Sequence, residues 1–248
     1  MATAGNLTAY GAKKLADATT NSNNAVSADS RRVRLRPKPA AMTAIVGNSS
    51  ILNPLKSTNG MVWPYQPSIS YSQEVNYQDV SMTHTNQEFY AYTRTNAVKL
   101  TCEGEFSVQN QTEGLYTLAC LHFLRTVTKM YFGQGSNLGT PPPVLFFDAF
   151  GEYMFNQLPV IVTGFTANMP KDVDYVPIDL SNLGNTINPN VLTELVQGST
   201  SNNAGQVWLP ALFNISVNLT VQNTPAKLRT FNLDEFRSGS LLKGGGWI

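Results

Sequence analysis

Two stretches of the chain alternate strictly between apolar and polar positions. Between residues 98 and 108, Val98, Leu100, Cys102, Phe106 and Val108 fall on one side, and Lys99, Thr101, Glu103, Glu105 and Ser107 on the other. Between residues 213 and 222, Phe213, Ile215, Val217, Leu219 and Val221 alternate with Asn214, Ser216, Asn218, Thr220 and Gln222. A period of two belongs to a β-strand with one buried and one wet face, so both stretches are predicted as core strands with Cys102 pointing inward. A looser alternation of Trp63, Tyr65, Ile69, Tyr71, Val75 and Tyr77 among Ser, Gln and Asn adds strand character from about residue 61.

One segment breaks this rhythm. Asn110-Gln111-Thr112-Glu113 has the form of a helix cap followed by an acid three residues on, and the apolar run from Leu115 to Tyr131 recurs at helical spacing. A helix over about residues 112–131 is predicted, closed by Gly133 and Gly135. Downstream, Val144 to Phe150, Gly151-Glu152 and Tyr153 to Phe155 read as a hairpin with a two-residue turn. A further strand is predicted from Pro159 through Phe165 to Pro170, and the polar stretch from Ser181 to Gly205 reads as a long loop. The expected fold class is mainly β, an antiparallel sandwich or curled barrel with one flanking helix.

Composition then marks off the ends. Residues 1–60 are poor in aromatics and rich in Ala, Thr, Ser and Asn, too polar to offset their own ordering entropy. They are predicted as an extended arm, ahead of a β domain at 61–225 and a docking arm at 226–248. Residues 1–40 hold seven basic and two acidic groups, net +5, and the other 208 hold ten and fourteen, net −4. The basic segment Arg31-Arg32-Val33-Arg34-Leu35-Arg36-Pro37-Lys38-Pro39 is expected to be extended, because its prolines disfavour helix. It is brief and lacks interleaved aromatics, which favours a protein partner over nucleic acid. The final arm, with Phe231, Phe236, Arg237, Leu241, Leu242, Trp247 and Ile248, is apolar enough to require docking. Arg31, Arg32, Arg34 and Arg36, with those seven residues, are the expected assembly interface.

Charged residues are only 13% of the chain, so its polarity is mostly amide and hydroxyl. Such a surface is buried against a partner at modest desolvation cost, which points to assembly. The two cysteines, Cys102 and Cys120, have neither disulfide-framework nor metal-site spacing, and are read as reduced core residues. No apolar run approaches the roughly 18 residues of a membrane span, so no membrane is expected. Catalytic chemistry is thinly represented. His84 and His122 have no triad or zinc partner in sequence, and Asp172, Asp174 and Asp179 fall short of a calcium loop. Asp148 and Glu152 are the one carboxylate pair that a hairpin would bring together, as glycoside hydrolysis requires. No enzyme activity and no cofactor are expected.

Several blocks also occur in a familiar order. They are Tyr71 to Asn86 ending in Met82-Thr83-His84-Thr85-Asn86, then Tyr116 to Arg125 with Thr128-Lys129-Met130, and Thr140 to Phe147. Asp172 to Val176, Phe231 to Gly239 and the Gly-Gly-Trp-Ile end complete the set. Together they resemble the tail-tube initiator, or baseplate tube-junction, proteins of contractile-tailed bacteriophages, over roughly residues 60–248. The resemblance implies a tail-tube fold, six copies of which close a ring between central hub and tail tube. That ring would start tube assembly and line a channel through which DNA passes without specific binding. It implies as partners the tube protein, the hub and other baseplate proteins, and as location the virion, assembled in the host cytoplasm. The competing readings are a carbohydrate-binding or hydrolytic sandwich using Asp148, Glu152 and exposed aromatics such as Trp63, and a capsid or fibre protein.

Overall fold

The computed structural model describes residues 31–47, 49–132, 138–180, 205–243 and 246–248. The protein is mainly β, and all its strand pairings among these residues are antiparallel. Strands β1 (Arg34–Pro37), β2 (Met61–Val62), β3 (Ser68–Ser72), β6 (Lys99–Ser107), β7 (Leu145–Ala149), β8 (Phe155–Asn168) and β11 (Leu212–Val221) form one sheet in the order β2-β1-β7-β8-β11-β6-β3. Two ribbons stand apart from it. One pairs β4 (Val75–Val80) with β5 (Phe89–Thr95), and the other pairs β9 (Tyr175–Asp179) with β10 (Gln206–Pro210).

The two alternating stretches are β6 and β11, and they pair along their whole length from Leu212↔Ser107 to Thr220↔Lys99. Their apolar sides are buried as predicted, with Cys102 fully inside. Helix α3 (Gln111–Val127) adds Ala119, Cys120, Phe123, Leu124 and Val127 to the same core. Its start is capped as the sequence indicates: Glu113 N donates to Asn110 Oδ1 at 2.9 Å, and the Glu113 carboxylate accepts from Gln109 N at 3.0 Å. The helix ends at Val127, four residues short of the expected 131, and Gly133 and Gly135 lie outside the described residues.

The sheet curls until its two ends meet across the core. Trp63, directly after β2, lies on Gly104 of β6, where any Cβ would overlap the indole ring. Tyr71 of β3 makes an edge-on contact with Phe155 of β8 at 5.9 Å between ring centres. A glycine on the core side of the best strand is therefore the seat of a tryptophan from the other end of the sheet.

Three sequence expectations change here. Residues 31–60 are not an arm. Leu35 pairs with both Met61 and Phe147, and Val33, Leu35, Val46, Leu52 and Leu55 join the core. The physical reason is that Arg34 and Arg36 alternate with Val33, Leu35 and Pro37, so a strand with one buried face reads as a basic tail. Pro39 opens helix α1 (Pro39–Val46), because proline fits a first helical turn, and α2 (Pro54–Thr58) follows. Second, the hairpin connection after β7 has five residues, 150–154, not two. Third, Pro159 does not open a strand. It lies inside the 14-residue β8, opposite Phe146, just after a bulge in which Gln157 takes a positive φ of 51°. The first 30 residues and most of the 181–205 loop lie outside the described residues.

Candidate functional site

The wet face of the curled sheet is built from register. Ser70, Thr101, Asn218 and Gly164 lie abreast on β3, β6, β11 and β8, and beside them run Ser68, Glu103, Ser216 and Thr166. Thr101 Oγ1 donates to Asn218 Oδ1 at 3.0 Å, and Thr163 Oγ1 to the Asn218 carbonyl at 3.1 Å. Lys99, Glu103 and Glu105 are the charges that β6 contributes to this face. The result is a broad strip of hydroxyl and amide groups over the middle of the sheet. It offers water many partners while giving a polyanion neither cations in number nor rings to stack on.

The ribbon of β4 and β5 presents the opposite chemistry. Every residue of both strands is exposed. Tyr90 is 65% accessible, and Val75, Tyr77, Val80, Met82, Phe89 and Tyr92 are also out in solvent. Tyr77 and Tyr92 stand opposite each other, edge to face at 6.0 Å, and Tyr90 donates to Glu88 Oε2 at 3.0 Å. A two-stranded hairpin is marginal in water by itself, and this one carries six exposed aromatic or valine side chains in two short strands. His84 lies between its strands with a φ of 64°.

The other candidate residues fall in three places. Arg36 Nε and Nη2 reach Asp148 Oδ2 and Oδ1 at 2.5 and 3.3 Å, and Asp148 Oδ1 also accepts from Gln157 N at 2.8 Å, closing the bulge. Glu152 pairs instead with Lys243 at 3.3 Å. The two carboxylates are thus held by different cations. Trp63, named as an exposed aromatic for a sugar site, is 1% accessible, because it fills the space over Gly104. His122 sits half-buried on α3, where burial and then Arg125 lower its pKa below the usual imidazole value. Among the described residues no three His, Cys, Asp or Glu side chains are grouped to hold a metal ion.

Arg31 and Arg32 are exposed beside β1, and Arg34 and Arg36 are half-buried within it. The carboxy-terminal residues fold back on their own domain. Helices α4 (Pro225–Arg229) and α5 (Leu233–Arg237) bring Phe231 within 5.7 Å of Phe236 and 5.0 Å of Trp247. Lys227 donates to the Gly246 carbonyl at 2.9 Å and lies over the Trp247 ring. Burial, and then Lys38, lower its pKa. Gly246 sits against the Gln157 carbonyl, where a Cβ would approach to 2.5 Å, and Ile248 packs on the core. Leu241 and Leu242 are half-buried, while Arg237 is exposed beside Asp234. The apolar end thus has a seat within the chain. Sequence reasoning missed the hairpin as the outstanding apolar surface, although its alternation is imperfect and its aromatics crowd both faces, which no one-sided strand needs. Neither a protein-family model nor a curated protein matches this sequence.

Proposed function

We propose that the chain is a structural subunit of a hexameric ring at the junction of baseplate and tail tube in a contractile phage tail, lining a channel for DNA. The observation that carries this reading is the β4–β5 ribbon, whose apolar side chains on both faces need a protein surface to cover them. The amide and hydroxyl face over β3, β6, β11 and β8 supports the channel role, since it stays hydrated and grips no polyanion. The order of sequence blocks that resembles the tube-junction proteins supplies the particular assembly and the tail-tube fold.

The test is electron microscopy of purified protein, alone and with a tail-tube partner. Six-fold rings are expected from the intact chain. They should be lost, with thermal stability kept, when residues 74–96 are replaced by a short glycine turn. A chain that stays monomeric in every mixture would refute the reading.

A further inference from the structure

The corner between α2 and β2 is Asn59-Gly60, the one Asn-Gly pair in the chain. The backbone dictates both residues. Asn59 takes φ 56° and ψ 36°, a left-handed conformation that asparagine tolerates better than most residues with a side chain. Gly60 has φ 130°, and a Cβ there would come within 2.6 Å of the Leu35 carbonyl oxygen on β1.

Such a pair carries its own chemistry. The glycine nitrogen attacks the asparagine Cγ, unhindered by any side chain on the glycine. A new C–N bond forms as ammonia leaves, and the product is a five-membered succinimide. Water then opens the ring at either carbonyl. One opening gives aspartate; the other gives isoaspartate, whose main chain runs through Cγ and is one atom longer. Asn59 is exposed, so base and water reach its amide.

The fold holds the nucleophile back. Gly60 N donates to the Leu55 carbonyl at 3.0 Å and Asn59 N to the Lys56 carbonyl at 3.4 Å, the two bonds that close a helix end of the Schellman type. Thr58 Oγ1 donates to the Gly60 carbonyl at 2.6 Å. Gly60 itself is buried against β1. Bringing its nitrogen onto Asn59 Cγ turns the peptide plane between the two residues, which breaks the bond to Leu55 and lifts Gly60 from its seat.

We propose that Asn59 is a deamidation site gated by the fold, closed while α2 and β1 hold Gly60 and open in any copy where this corner has come undone. The isoaspartyl product then keeps the corner open. Its extra main-chain atom displaces Gly60 from Leu55, Thr58 and Leu35 together.

Site-resolved peptide mapping by mass spectrometry tests it, on wild-type protein held at pH 8 in buffer and in guanidinium chloride. Residue 59 should turn from amide to acid more than about tenfold faster in denaturant, because the folded corner must open to react. Thr58→Val, its folding checked by melting, should speed the reaction in buffer about fivefold, the effect of one lost hydrogen bond on opening. Asn59→Gly keeps the left-handed turn and should yield no isoaspartate at this position. Wild-type chains rich in isoaspartate, returned to buffer, should melt below Asn59→Asp, which carries the acid on a main chain of normal length. Equal rates in buffer and denaturant would overturn the gating, as would an unchanged rate in Thr58→Val. An Asn59 that stays intact in denaturant would overturn the site, and isoaspartyl chains as stable as Asn59→Asp would overturn the locked corner.

Discussion

Leu35→Ala separates a folded β1 from an arm that orders only on a partner. Leu35 is wholly buried, and its two cross-strand neighbours, Met61 and Phe147, are wholly buried too. Truncation removes the transfer free energy of the lost methyl groups and leaves a hole among side chains that are themselves pinned in the sheet. The ordinary range for this change is about 2–5 kcal/mol, and a site that cannot collapse belongs in its upper half, about 3.5–5 kcal/mol. For a domain of this size each kcal/mol lowers Tm by about 2–4 °C, so the midpoint should fall by roughly 10 °C. Urea or thermal unfolding of the subunit, followed by circular dichroism, measures it. Leu228→Ala, at a side chain 55% exposed on α4, is the control and should stay within about 0.5 kcal/mol. If Leu35→Ala melted like the control and harmed only assembly, β1 would not belong to the core and the fold described above would be wrong there.

Asp148→Ala should cost about 1.5–3 kcal/mol in urea unfolding, because Arg36 and the Gln157 N–H at the bulge both lose their acceptor. Asp148→Asn keeps an oxygen for Gln157 and should cost about half as much; a loss of glycan binding or turnover at unchanged stability would instead revive the hydrolytic reading. His122 gives a pH signature. Its folded pKa lies below the unfolded value of 6.5, so as pH falls through 6.5 the unfolded chain takes up the proton first and stability declines. His122→Gln should flatten that part of the stability profile between neutral pH and about 5, and an unchanged slope would show that His122 does not feel its burial.

The strongest local signals were legible in the order of residues. Strands β6 and β11 and the cap of α3 are each determined within about a dozen residues, where alternation or a side-chain cap admits one conformation, and the structure has them nearly where the pattern put them. What the sequence obscured has a common cause. In β1 the outward-facing, half-buried positions are arginines, and cationic side chains hide the buried Val33 and Leu35 between them from any reading by composition. Gly104 and Pro159 look like interruptions because their reasons lie elsewhere, in the Trp63 ring brought from the far end of the sheet and in the bulge held by Asp148. The apolar tail from Phe231 to Ile248 announced that it needed a surface, but only the folded chain shows that α4 and β8 provide one. The ribbon of β4 and β5 is the converse case. Its aromatics read as ordinary strand residues, and only the fold shows that both of its faces are left bare. Local periodicity determines which residues form strands and helix; closure of the sheet decides which apolar residues are covered, because covering depends on partners distant in sequence.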